Sequence, residues 1–156
     1  MPALRTIALS LAFAAASTVA VADANADYLA ANAKKPGVTT TASGLQYRVV
    51  KSGGHGIKPR RTDCVSVYYK GTFTDGRTFD ESHGTPVAFP VNRVIPGWTE
   101  ALQLMRTGDE FELAIPSDLA YGPTGTPGGP IPPNTPLVFD VTLLKVAPVK
   151  DGHCPF

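Results

Sequence analysis

The chain has 156 residues, 43% of them hydrophobic and 17% charged, with a formal net charge of +1. That balance fits one globular domain with short appendages and excludes a fibre or a disordered tail, and it gives no electrostatic basis for binding DNA, RNA or an anionic membrane. Fifteen Gly and fifteen Pro imply many tight turns and weigh against an all-helical bundle.

Residues 1–26 carry Arg5, an apolar run from Ile7 to Ala16, and Ala24-Asn25-Ala26 before Asp27. A basic start, an apolar centre and an A-x-A junction predict a secretory signal peptide cut after Ala26. An apolar centre of about ten residues falls short of the about 20 that span a bilayer, so no membrane span is expected in the mature chain. Export is therefore expected, into a bacterial periplasm first and the medium second. Residues 27–42 are rich in Ala, Lys and Thr with Pro36-Gly37. They lack sustained apolar periodicity and read as a short leader or linker, too short for a helical dimerisation domain; a monomer is expected.

A single domain is expected over 43–148. Leu45, Tyr47 and Val49 alternate with Gln46 and Arg48, the period-two mark of a half-buried strand. Val65, Val67 and Tyr69 repeat it against Ser66 and Lys70. Asp75-Gly76 predicts a tight type I′ hairpin turn, leading into a short strand at Thr78-Phe79. After Pro96-Gly97, Trp98, Ala101, Leu102 and Met105 stand at i, i+3, i+4 and i+7, the apolar stripe of a short helix over 98–106, with Arg106 at its negative end and Gly108 as its stop. Phe111, Leu113 and Ile115, then Leu137, Phe139, Val141 and Leu143, alternate again. The fold class is α+β: five or six antiparallel strands with one short amphipathic helix on their apolar face. Residues 149–156 form a C-terminal tail.

Cys64 and Cys154 admit one intramolecular bridge in an oxidising compartment. It would close a loop of about 90 residues and tie the tail to an early strand. The alternative is two unpaired thiols, with Cys64 buried in its strand.

Conventional catalytic groups are nearly absent. His55, His83 and His153 are far apart and lack metal-ligand spacing. No phosphate loop or dinucleotide fingerprint occurs, so neither metal nor cofactor is expected. Aromatic and apolar residues are instead lodged among turn residues, at Tyr69-Lys70-Gly71, Phe79-Asp80, Val94-Ile95-Pro96-Gly97-Trp98, Ala120-Tyr121-Gly122 and Ile131-Pro132-Pro133. Apolar side chains at strand ends and helix starts line cavities as well as cores.

Those segments, in that order and with Phe79-Asp80-Glu81-Ser82 and Leu137-Val138-Phe139 between and after them, resemble the FKBP-type (macrolide-binding) peptidyl-prolyl cis–trans isomerases from about Ser43 to Lys145. Ser43-Gly44-Leu45-Gln46-Tyr47 resembles the opening of bacterial exported members. The resemblance implies a sheet curled around the helix and a pocket between them. It implies Trp98 as the pocket floor, with Tyr69, Phe79 and Phe139 as aromatic walls and Val94, Ile95 and Ile131 completing the lining, and Phe89 is expected among the substrate-binding residues. Tyr121 would offer its hydroxyl to a substrate carbonyl, the Ile95 backbone N–H would be a second donor, and Asp80 would stand beside the reacting amide. Asp80, Tyr121, Trp98 and Phe139 are thus the expected catalytic set. Proline-containing polypeptides are the implied substrates and macrolides the implied inhibitors; a non-catalytic module that holds proline segments is the alternative. The 122–131 flap, rich in Pro and Gly, departs from the commonest family form, and selectivity is expected to differ there.

Overall fold

The computed structural model describes residues 16–156; the basic start and most of the apolar run of the expected signal peptide lie outside the described residues. Seven strands form one antiparallel sheet: β1 (Val38–Thr40), β2 (Gln46–Lys51), β3 (Asp63–Thr72), β4 (Thr78–Glu81), β5 (Val87–Pro90), β6 (Glu110–Ile115) and β7 (Leu137–Pro148). Their spatial order is β1-β2-β6-β7-β3-β4, and β5 pairs with the other end of β3. Two helices, α1 (Ala16–Ala33) and α2 (Pro96–Leu104), complete the fold.

The two longest strands set its axis. β3 and β7 pair from Asp63↔Pro148 to Thr72↔Val138, and their inward residues Val65, Val67, Leu137, Phe139, Val141 and Leu143 are buried. Leu113 and Ile115 of β6 join them, with Trp98, Ala101 and Leu102 of α2 and the adjoining Met105 packed against that face. Each Val, Leu, Ile, Phe or Met among them, fully buried, stabilises by about 1.5–3 kcal/mol. A nine-residue helix does not persist alone in water, so this stripe holds α2 in place.

The chain enters α2 through Pro96, whose missing N–H would be unpaired in the first turn in any case. Gly97 lets the helix approach the sheet, for a Cβ there would lie 2.5 Å from Ile115 Cγ2. The helix starts and ends earlier than its apolar stripe predicts: Met105 is already extended, at φ −84° and ψ 159°. Arg106 is therefore outside it. The cause is Asp109, buried and accepting the backbone N–H groups of Arg106 at 2.8 Å and Gly53 at 2.6 Å. That carboxylate takes the chain out of the helix and pins the 52–57 loop beneath it.

The leader corrects the expected element count. Instead of a plain linker, α1 and β1 extend the fold to seven strands and two helices, and β1 pairs with β2 from Val38↔Arg48 to Thr40↔Gln46. Gln46, expected on the solvent face of its strand, is buried because α1 covers it: Asn32 Nδ2 donates to Gln46 Oε1 at 2.8 Å, and Gln46 Nε2 donates to the Leu29 carbonyl at 2.9 Å. Val49, expected inside, is exposed near the end of β2.

The hairpin between β3 and β4 also differs from a type I′ turn. Phe73 closes it with two bonds, its carbonyl to Gly76 N–H and its N–H to the Arg77 carbonyl, both 2.9 Å. Only Gly76, at φ +88°, is left-handed, the pattern of a three-residue loop in which glycine takes the last position. At the other end of β3, a disulfide joins Cys64 to Cys154 with Cα atoms 5.5 Å apart, and no free cysteine remains among the described residues.

Candidate active site

The site lies where the helix start, the β3–β4 pair and the flap meet. Ile95 and Trp98 begin α2, Tyr69 lies on β3, Phe79 and Asp80 on β4, Phe89 on β5 and Phe139 on β7. Together with Arg93, Val94 and Tyr121 they line a cavity of about 450 Å³.

Aromatic edges surround the Trp98 indole. Tyr69, Phe89 and Phe139 meet it at centroid distances of 5.4, 5.7 and 5.3 Å and interplanar angles of 84°, 83° and 83°. Phe79 in turn stands edge-on to Phe139 at 5.5 Å and 88°, and Phe73 backs Phe79 at 5.1 Å. Edge-to-face pairs put positive ring edges against negative faces, adding about 0.5–1.5 kcal/mol each beyond area burial. Linked contacts of this kind preset the cavity's shape. The buried indole Nε1 has no hydrogen-bond partner among the described residues.

Glycine sets the width of this box. The rings of Phe79 and Phe139 close over Gly71, where a Cβ would lie 2.6 Å from Phe79 Cζ and 2.8 Å from Phe139 Cε1. Gly71 stands opposite both Asp80 and Phe139 in the sheet, so one backbone position admits both walls.

Polar groups are few. The Tyr69 hydroxyl donates to Asp80 Oδ2 at 2.8 Å. Burial, then the Asp80 bond, pushes the Tyr69 phenol up to about 12, so it stays a neutral donor at physiological pH. Tyr121 is 41% exposed, at the mouth. The Ile95 N–H makes no hydrogen bond among the described residues, while its carbonyl accepts from Trp98 at 2.9 Å and Thr99 at 3.1 Å.

Nine of the residues named from sequence thus share one cavity. Ile131 is the exception. It is buried in the core and held by Thr126, whose hydroxyl accepts the Ile131 N–H at 2.9 Å and whose own N–H donates to the Ile131 carbonyl at 2.9 Å. The flap is accordingly a bonded loop, and Gly125, at φ +63°, allows its return strand to pass close by. Arg93, an exposed lining residue, was missed by sequence reading. It lies in a short 3₁₀ turn, Val91–Arg93, whose single turn carries no periodic signal.

Among the described residues no His, Cys, Asp and Glu cluster of three or more fits a metal ion, and no helix is long and apolar enough to cross a membrane. The family model for FKBP-type peptidyl-prolyl cis-trans isomerase matches residues 55–144, which contain the whole cavity lining. The chain belongs to that family. A second family model, for the domain amino terminal to FKBP-type isomerases, matches residues 8–49, across α1, β1 and the start of β2. The FKBP-type isomerase FkpA of Aeromonas hydrophila is 57% identical over 129 residues, covering 81% of this chain and 47% of that protein. The FKBP-type 22 kDa isomerase of Escherichia coli K12 is 53% identical over 129 residues, covering 81% and 62%. The chain spans about half the length of the first of these relatives. A crystal structure of a peptidyl-prolyl isomerase from Pseudomonas syringae pv. tomato superimposes with a TM-score of 0.78 at 42% identity, over 86% of this chain and 98% of that one. That of FkpA from Escherichia coli gives 0.78 at 45% identity, over 86% and 65%.

Proposed function

We propose that this FKBP-type chain accelerates rotation about the peptide bond preceding proline in exported polypeptides. The observation that carries the reading is the Trp98 indole ringed edge-on by Tyr69, Phe89 and Phe139, in a cavity whose lining has few polar groups. Prolyl rotation breaks no bond and must only lose amide resonance, against a barrier of about 18–20 kcal/mol. The twisted amide has less charge separation than the planar one, so an apolar cavity favours it relative to water. In this reading the pyrrolidine ring stacks on Trp98 between the aromatic walls. The Ile95 N–H and the Tyr121 hydroxyl take flanking carbonyls and hold the chain in a turn. Asp80, oriented by Tyr69, stands beside the amide whose nitrogen gains a lone pair as it twists. Contacts that improve on twisting act on the transition state, and each 1.36 kcal/mol gives about tenfold in rate.

The test is the cis-to-trans rate of a short X-Pro peptide at micromolar protein, with and without a macrolide inhibitor. Acceleration abolished by the macrolide is expected; no acceleration overturns the reading. Asp80→Asn and Tyr121→Phe are expected to lower kcat/KM about tenfold while unfolding at the wild-type temperature. Early unfolding would make them structural residues.

Export to a periplasm belongs to the same proposal, supported by the order of residues in 1–26 and by the Cys64–Cys154 bridge, which persists in oxidising compartments. Cleavage after Ala26 would cut α1 and lose the Asn25 Nδ2 bond to the Asn134 carbonyl, yet keep the Leu29 and Asn32 contacts with Gln46. The mature protein is then a monomer whose remaining α1 turns dock on its own sheet. Mass spectrometry of exported protein should give an N-terminus at Asp27, and sedimentation the mass of one chain.

A further inference from the structure

A second cavity, of about 510 Å³, adjoins the aromatic one and shares Val94 with it. Along 92–96 the lining alternates. Arg93 and Ile95 belong to the aromatic cavity, Asn92 and Pro96 to the second, and Val94 to both. Val94 is extended, at φ −118° and ψ 173°, so this stretch forms a ridge with one cavity on each flank.

The groups lining the second cavity are a mixture of donors and acceptors. Thr99 is engaged, its hydroxyl donating to the Val91 carbonyl at 2.7 Å. Gln103 Nε2 donates to the Thr99 carbonyl at 2.8 Å, which leaves Gln103 Oε1 as an acceptor. Glu100 Oε2 accepts the Ser43 hydroxyl at 2.5 Å, which leaves its Oε1. Arg61 and Asn92 are exposed and their side chains make no hydrogen bond among the described residues. Glu100 disfavours a phosphate or other small anion, and the polar lining disfavours an apolar ligand. Alternating N–H and C=O groups of an extended polypeptide match it.

We propose that the second cavity receives the stretch of substrate chain flanking the prolyl bond, which crosses the Val94 ridge from the aromatic cavity. This rests on the isomerase reading above and makes the second cavity an extended subsite. An extended residue covers about 3.3 Å. A tetrapeptide is about 13 Å long, and six further residues add about 20 Å of chain to lie along the second cavity past Val94.

The experiment compares kcat/KM for an X-Pro tetrapeptide with that for two decapeptides, extended by six residues before or after it. The enzymes are the full chain and its Arg61→Ala/Gln103→Ala variant, with folding checked by circular dichroism. At least one decapeptide is expected to exceed the tetrapeptide about tenfold, and the variant to lose that gain while turning over the tetrapeptide normally. No gain from either extension, a gain that survives in the variant, or an equal loss on the tetrapeptide overturns the proposal. Should the full chain leave the tetrapeptide unaccelerated, the isomerase reading fails, and fluorescence anisotropy of the labelled peptides decides the subsite separately. Tighter binding of a decapeptide by the full chain than by the variant upholds it, and equal binding overturns it.

Discussion

The Tyr69 hydroxyl donates to Asp80 Oδ2 at 2.8 Å, so two polar groups of the aromatic cavity act as one unit. The neutral phenol orients the carboxylate while the Tyr69 ring packs against Trp98 and Phe89. Removing the hydroxyl alone separates these roles. Tyr69→Phe keeps the ring and loses one hydrogen bond, worth about 1 kcal/mol, so a fall in kcat/KM of about threefold to tenfold is expected. The same change alters the response to alkali. With its pKa raised to about 12, Tyr69 in the folded chain keeps a proton that the unfolded chain releases near pH 10. Stability is present below that pH and falls as the pH rises toward 12. Urea melts between pH 9 and 12 should show this decline in the wild type and a shallower one in the variant; parallel declines would remove the assignment.

Gly71 fixes how closely Phe79 and Phe139 approach. A methyl group there meets both rings under 3 Å, and overpacking of this kind costs about 1–3 kcal/mol. Gly71→Ala should therefore lower both the urea midpoint and the isomerisation rate, with a changed near-ultraviolet circular dichroism spectrum. Wild-type values for all three would mean that the rings move aside freely.

The disulfide should matter to stability and not to chemistry. Cys64 and Cys154 lie 90 residues apart in sequence, and closing a loop of that size stabilises by about 4–5 kcal/mol in the chain-entropy account. Unfolding in guanidinium with and without reductant should differ by an amount of that order, while the peptide isomerisation rate of the still-folded reduced protein stays the same.

On the outer face of the sheet, Arg48, Glu112, Asp140, Lys70 and Glu81 stand opposite one another across five strands. Arg48 pairs with Glu112 at 3.0 Å. Burial, then Glu112 and Glu110, raises the Asp140 pKa against the pull of Lys70 and Arg48. An acid with a raised folded pKa favours the folded state most below its unfolded value, about 3.9, and that advantage is lost as the pH rises through the folded pKa. Asp140→Asn should thus raise the melting temperature at pH 7, by an amount that shrinks toward pH 4. An unchanged or lowered melting temperature at pH 7 would refute this.

Where burial is one-sided and continuous, the sequence spoke clearly. The strands holding Val65 and Val67, Leu113 and Ile115, and Leu137 to Leu143 announce themselves by alternation, and the stripe from Trp98 to Met105 announces its helix. Gln46 misled because polarity marks solvent only when nothing covers the strand; here a second polar residue, Asn32, satisfies it. The hairpin at Gly76 misled because Asp-Gly serves more than one loop length. Most of the cavity was legible through family resemblance, since bare periodicity cannot separate a lining aromatic from a core one. Ile131 shows that limit: its flap position suits a lining residue, and Thr126 turns it inward. Arg93 had no local pattern to betray it.

Every residue lining the aromatic cavity falls between Cys64 and Cys154. The bridge therefore makes the whole cavity lining part of a covalent ring. A protease that nicks the exposed flap tip at 127–130 opens that ring without dividing the molecule, because the pieces on either side of the cut stay tethered through sulfur. Such a nicked molecule keeps both halves of its cavity within reach of each other.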